Sequence, residues 1–526
     1  MRLSPDRIQL LRGAVANLQQ GRFAAAEQTS RLLLATGHDA QAELVLGLAL
    51  GAQGEMARAM PLLDRAAEAR PDHAHPCRDL GELLAAAGRP AEAIPHYQAW
   101  LARAPGDAAA HHALGLLCAD IGRFADAILH FERAVTLDPR PAMGWSNLGM
   151  MLKIEGGFER AIAAHDEAVS RAPEDSQIRV NRAVALLHAG RMTEAWRDYE
   201  YRLRQPGHTT RPLDLLLPEV TGLDLTGRTI LVTHEDGYGD TLQFIRYVPL
   251  LAASGARVIL EVPPPLIRLL STLEGVTGLD MGASSPRLAG ENQSETCAGG
   301  AALGAGGREA TFDYHCPVFS LPRAFATTVA TIPGATPYLR ADPGLVAAWS
   351  RRLPPATGRR IGLVWAGQAR PWLTGFTTLD SRRSTSLAQF APLAAAVPEV
   401  QFISLQKGPA AGETRTPPTG MRLHDPGPDI ADFADTAAII ANLDLVISVD
   451  TSVVHLAGAL GKPVFLLDRY DNCWRWLSGR EDSPWYPTLR IFRQERLGDW
   501  TGPMRGVAAA LRAGFPNAAG RSKPRA

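Results

Sequence analysis

GLLCADIGRFADAILHFERAVTLDP, residues Gly115 to Pro139, is the stretch from which the fold can be read. It opens on a glycine, carries Ala127 twelve residues later and closes on a proline twelve residues beyond that. The same marks recur every 34 residues. Gly13, Gly47, Gly81, Gly115 and Gly149 hold the first position, and the small Ala183 is next in step. Ala25, Ala59, Ala93, Ala127, Ala161 and Ala195 hold the second, and Pro71, Pro105, Pro139 and Pro173 the third. Helices that cross closely need small residues at the crossing, and proline ends each pair before the next one stacks. A helical solenoid of about six repeats is therefore predicted for residues 1–205, with the first and last repeats least regular.

The period and pattern are those of tetratricopeptide repeats, which points to a scaffold that holds a protein or peptide. Asn147 and Asn181 sit at equivalent places two residues before the helix-crossing position. Asparagine can pair with both a peptide N–H and a C=O, so both are peptide-binding candidates, although asparagine is also common there.

The chain has 526 residues, too many for one core. Lys+Arg and Asp+Glu are each 54, so there is no global charge to draw nucleic acid or an anionic membrane. Five scattered cysteines lack metal-ligand spacing and fit a reducing compartment. The N-terminus lacks a secretory apolar segment, and no apolar run approaches the roughly 18 residues needed to span a bilayer. The expected location is cytoplasmic, with no transmembrane segment.

Beyond residue 205 the periodicity changes. TILVT (Thr229 to Thr233) and ARVILEV (Ala256 to Val262) read as buried strands separated by a glycine loop and helix. IGLVWAG (Ile361 to Gly367), QFISLQ (Gln401 to Gln406), LDLVISVD (Leu443 to Asp450), PVFLL (Pro463 to Leu467) and LRIF (Leu489 to Phe492) form a second such series. Two Rossmann-like α/β halves are expected, residues 206–340 and 341–515, with a cleft at the carboxyl ends of their strands. The Gly/Ala/Ser-rich stretch 282–310 reads as a flexible insertion and 516–526 as a disordered tail.

Two loops could carry chemistry. In VISVDTSVVHLAGALGKPV a strand ends at Asp450 and a helix starts almost at once. Thr451 and Ser452 offer hydroxyls and N–H groups where a helix dipole favours an anion, and His455 lies one turn in. A capped helix with a core histidine would read the same way. In HEDGYGDTLQFIRYVP, Gly237 and Gly239 permit a tight turn and Asp240 sits at the helix start, as a cap or as a general base.

Lys407, at a strand's carboxyl end, could neutralise a phosphate or simply be a surface lysine. Arg382-Arg383-Ser384 could bind oxygens or be solvated. The ring-rich WRWLSGREDSPWYP (Trp474 to Pro487) suits a sugar or base platform, or core packing. No HExxH, nucleophile elbow, Walker lysine or DxD pair occurs, so no metal site and no cofactor are expected.

GYGDTLQF, GLVWAG, SLQKG, DTSVVHLAGALGKPV and REDSPWYP, in that order after the repeats, resemble bacterial tetratricopeptide proteins with a family 9, heptosyltransferase-like glycosyltransferase. More distantly they are similar to the O-linked N-acetylglucosamine transferases and Spindly-type O-fucosyltransferases. The resemblance implies a GT-B fold and metal-independent, inverting transfer from a nucleotide-sugar held by the C-terminal half. It implies two catalytic residues, Asp240 as base on a loop shaped by Gly237 and Gly239, and His455, the family's helix histidine. It implies donor contacts from Gly367, Arg383, Lys407, Asp450, Thr451 and Ser452.

The sequence departs from the family in the glycine loop, which reads Glu235-Asp236-Gly237-Tyr238-Gly239-Asp240 where the family usually has Glu-Gln-Gly-Leu-Gly-Asp, in the long loop after Gly367 and in the 282–310 insertion. The expected architecture is thus α + α/β, a tetratricopeptide solenoid followed by GT-B. The expected function is sugar transfer to a hydroxyl, on a protein held by the repeats. A non-catalytic adaptor and an enzyme of surface polysaccharide assembly are the alternatives.

Overall fold

The computed structural model describes residues 5–69, 78, 81–82, 84–85, 88–205, 211–280, 312–355, 358–368 and 379–514. The expected insertion at 282–310 and tail at 516–526 lie outside them. The chain divides into two compact units, Met1–Pro173 and Glu174–Ala526.

The first unit is helical throughout its described residues. Pairing follows the 34-residue register. Helix Ala40–Ala52 packs on Met56–Ala69, Ala108–Asp120 on Phe124–Leu137, and Ala142–Ile154 on Phe158–Arg171. The repeated glycines explain the spacing. A Cβ at Gly47 would lie 2.6 Å from Leu63, at Gly81 2.7 Å from Tyr97, at Gly115 2.8 Å from Phe131, and at Gly149 2.7 Å from His165. Each glycine thus gives room to a side chain sixteen residues on, and that partner also recurs every 34 residues. The repeat alanines Ala59, Ala93, Ala127, Ala161 and Ala195 are fully buried, while Ala25 in the first repeat is only half-buried.

The second unit begins with helices Ser176–His188 and Met192–Tyr199, which keep the repeat register, and a short 3-10 turn, Glu200–Arg204. Two parallel sheets follow. The first runs in the order β3-β2-β1-β4, from Val276–Asp280, Arg257–Glu261, Thr229–Thr233 and Tyr314–Pro317. The second runs β10-β9-β8-β5-β6-β7. Its strands are Leu489–Arg493, Val464–Asp468, Leu445–Val449, Arg360–Val364, Gln401–Ser404 and Leu423–His424.

Both are wholly parallel, and β5, β8 and β9 are apolar almost throughout because helices cover both faces. The core of the second sheet gathers Trp365, Phe390, Phe402 and Ile447 under helix Thr501–Arg512, which supplies Met504 and Val507. In each sheet the strand order reverses beside the first strand, at β1 between β2 and β4 and at β5 between β6 and β8. Ligands in such sheets bind outside the carboxyl ends at that reversal. The loops leaving β1, β5 and β8 are therefore where a site belongs.

Candidate functional site

The loop leaving β1 turns through Asp236, whose φ of 58° is left-handed, into helix Tyr238–Phe244. Asp240 stands at the third helical position. Its Oδ2 accepts a hydrogen bond from the Gly237 N–H at 3.0 Å, so the carboxylate does cap its own helix. Its Oδ1 accepts from Nη2 of Arg475, which comes from the segment after β9. Arg475 also donates from Nε to Gln243 Oε1 at 2.8 Å and lies 4.6 Å above the Trp474 ring. Burial pushes the Asp240 carboxyl above the ordinary carboxylate range; Arg475 pulls the other way without winning, and Asp450 and Glu235 add to the rise. The Asp240 side chain still keeps 21% of its surface open.

The loop leaving β8 places Asp450, then Thr451 as N-cap of helix Ser452–Ala459. Thr451 makes no capping bond to that helix; its hydroxyl instead meets Ser448 Oγ at 3.1 Å. The helix start is thus left to an outside acceptor, the arrangement that favours an anion.

His455, one turn in, is buried and stacked on Trp476 at 5.4 Å, with Nδ1 2.9 Å from the Tyr486 hydroxyl. Burial pushes its imidazole down to about 3, so it is neutral at physiological pH. A Cβ at Gly239 would lie 2.8 Å from His455 Cδ2 and 3.2 Å from Ser452 Cα. The two helix starts, one carrying Asp240 and the other following Asp450, therefore meet backbone to backbone at Gly239.

The loop leaving β5 has Gly367 beneath Arg383, whose Nε would be 2.5 Å from a Cβ there. Arg383 Nη1 donates to the Asp450 carbonyl at 3.2 Å. Asp471 forms ion pairs with Arg382 Nη1 and Arg469 Nε, each at 3.0 Å. Asp468, fully buried at the end of β9, pairs with Arg493 Nε at 2.8 Å, yet burial pushes its carboxyl up to about 6.

The structure brings together Asp240, Gly239, Ser452 and His455, and joins Gly367, Arg383 and Asp450. Lys407 is otherwise engaged, its Nζ donating to the Gly427 and Ile430 carbonyls at 2.8 and 3.2 Å. Asn147 is largely buried, with Nδ2 3.0 Å from His112 Nε2, and Asn181 accepts from Gln177 Nε2 at 2.9 Å. Trp474, Trp476, Trp485 and Tyr486 are buried, so the ring-rich segment is mainly core packing. Arg475 and the Asp468–Asp471 group went unnoticed in the sequence. Charged residues after an apolar β9 were the available signal. Among the described residues no helix is long and apolar enough to cross a membrane, and no group of three or more His, Cys, Asp and Glu is placed to hold a metal.

Comparison with known proteins agrees with the two-part organisation. Residues 11–74, 78–141 and 155–207 match a tetratricopeptide repeat family, and residues 430–482 match glycosyltransferase family 9 (heptosyltransferase). The second match spans Asp450 to His455 and Arg475 but not Asp240. Protein FlbA of Caulobacter vibrioides is 31% identical over 356 residues, 65% of this chain and 56% of that protein. The chain thus spans just over half the length of that curated relative.

Among solved structures, a crystal structure of MamA shares 22% identity over 30% of this chain and 93% of its own, with a TM-score of 0.29. MamA 41-end from Desulfovibrio magneticus RS-1 shares 24% over 32% of this chain and 98% of its own, with a TM-score of 0.30. The chain therefore contains segments similar to tetratricopeptide repeats in its first part and, over residues 430–482, a segment similar to glycosyltransferase family 9 (heptosyltransferase).

Proposed function

We propose that the two parallel sheets are the Rossmann-like halves of a GT-B glycosyltransferase that moves a sugar from a nucleotide-sugar to a hydroxyl of a protein held by the repeats. The observation that carries this reading is the contact of Gly239 with Ser452 and His455, which sets Asp240 beside the uncapped helix start after Asp450.

In this scheme Ser452, Thr451 and the N–H groups behind them hold the donor diphosphate, and Arg383 adds charge beside them. Asp450 faces the sugar or ribose. Asp240 takes the proton of the acceptor hydroxyl as that oxygen attacks the anomeric carbon. The bond from that carbon to the diphosphate breaks with inversion, and the electron pair leaves on the nucleoside diphosphate. A carboxyl whose proton affinity is raised by burial suits this role better than an ordinary one. The buried, neutral His455 shapes the wall and orients Tyr486 rather than moving a proton. A reducing, cytoplasmic setting fits the free cysteines Cys118, Cys316 and Cys473.

One observation favours a second reading, a nucleotide-binding adaptor: both Asp240 oxygens already have partners, the Gly237 N–H and Arg475. Asp240→Asn separates the two. As a base, its loss should slow sugar transfer about 10²–10⁴-fold while UDP, GDP or ADP still raises the melting temperature. Saturation at 100 times the dissociation constant adds about 2.7 kcal/mol, enough to detect. Transfer by Asp240→Asn at the wild-type rate would rule out Asp240 as the base, and a wild type that binds nucleotide but transfers no sugar would leave the adaptor reading standing.

A further inference from the structure

The last helix pair of the repeat register reaches the glycine loop through one buried ion pair. Arg202, in the turn after helix Met192–Tyr199, is 4% exposed, and Glu235, in the loop leaving β1, is 8% exposed. They pair in parallel, Nε to Oε1 at 2.6 Å and Nη2 to Oε2 at 3.0 Å. Arg202 Nη1 also donates to Glu200 Oε1 and to the Tyr199 carbonyl, and Nη2 to Ser320 Oγ at 2.9 Å. The guanidinium lies 4.9 Å over the Tyr199 ring, which packs on Phe319.

The same helix sends Trp196 against Trp474 at 5.7 Å, next to Arg475, and its indole N–H to the Thr327 carbonyl at 2.8 Å. A guanidinium in this fork geometry fixes direction as well as charge. A scaffold helix that needed only to dock would not require a buried arginine, which carries a large desolvation cost.

We propose that Arg202 is a positioning residue for Asp240: by clamping Glu235 it fixes the turn that carries Asp240 and screens the Glu235 charge from that carboxylate. The inference rests on Asp240 being the base. It makes the end of the repeat array a working part of the site, so anything that shifts that helix is felt at Asp240. Charged and titratable groups near Asp240 include Arg475 and Asp450 from loops of the second sheet, His455 from the facing helix, and His234 at the end of β1, 2.6 Å from the Thr241 hydroxyl. Arg246 lies on the turn that follows, and Glu235 and Asp236 are in its own loop. Of these, Glu235 is the one that Arg202 controls.

The test is the Asp240 titration in the full-length protein, followed as the carboxyl infrared band that vanishes in Asp240→Asn. Arg202→Met should move the midpoint up and Glu235→Gln should move it down, each by about half a pH unit. The double variant should return close to wild type. Shifts in opposite directions cannot arise from a loosened loop. Three midpoints equal to wild type, or both single variants moving the same way, would overturn the proposal. If Arg202→Met does not fold, Glu235→Gln and the double variant still decide it. The base assignment fails separately, if Asp240→Asn transfers sugar at the wild-type rate, whatever these midpoints show.

Discussion

The repeats and the site use glycine for the same spatial reason and with opposite consequences. In the repeats Gly47, Gly81, Gly115 and Gly149 each receive Leu63, Tyr97, Phe131 or His165 from the partner helix. The contact is within a pair, and its loss is felt as packing. In the site Gly239 receives Ser452 and His455 from the other sheet's helix, and Gly367 lies under Arg383. Here a missing side chain sets the spacing of the proposed site. Close approach packs a helix pair when it recurs at a period, and brings two loops together when it occurs once at a strand's end.

Substitutions should separate the two uses. Gly239→Ala puts a methyl where Ser452 Cα is 3.2 Å away, so backbone must give. A displacement of this kind can cost about 10²-fold in rate, and sugar transfer should fall by that order while the circular dichroism stays unchanged. Retained activity would show that the two helix starts need not meet. Gly115→Val should do the reverse. Crowding Phe131 should cost about 1–3 kcal/mol of stability in denaturant melts and leave nucleotide affinity as it was.

The buried histidine gives a third contrast. His455 binds a proton near 6.5 when unfolded but only at about 3 in the fold. The unfolded chain therefore holds more protons in that window, and stability is lost as pH falls from 6.5 toward 3. Asp468, raised to about 6, acts oppositely in the upper part of the window. Comparison with His455→Gln removes that term, since Asp468 is present in both. The wild type should lose stability more steeply on acidification, by at most about 1.4 kcal/mol per pH unit. Parallel curves would show that His455 is not held neutral.

The smallest effect is expected at Arg268, which joins Asp432 at 2.7 Å and Asp435 at 2.9 Å but is half exposed. Arg268→Ala should change stability by no more than about 1 kcal/mol and leave transfer unaffected. A large loss would mean that this rim pair helps set the spacing that Gly239 governs.

Much of the fold could be read from residues alone because the signals were periodic or local. The glycine, alanine and proline marks at 34-residue spacing foretold the helix pairs, and short β-rich runs foretold β1, β8 and β9 within two residues and β5 within three. The site was legible only in part. Asp240, Thr451 and His455, the residues of the proposed site nearest the strand ends, stand out in the sequence because they follow strands. Arg475 was not, since it lies 235 residues from Asp240 and its partner is chosen by how the two sheets face each other. Lys407 shows the limit from the other side. Its place after β6 suited a phosphate, but the chain folds back to offer it two carbonyls, which no spacing rule announces.

The sequence by itself determined where helices stack and strands run, because a period of 34 and an apolar run act through neighbours a few residues apart. Only the tertiary structure decided that Arg202 clamps Glu235, that Asp240 caps its helix while bound to Arg475, and that His455 is neutral. Those outcomes depend on burial and on charges brought together from distant segments. Desolvation and Coulomb energy are set by position in space, which a linear pattern does not contain.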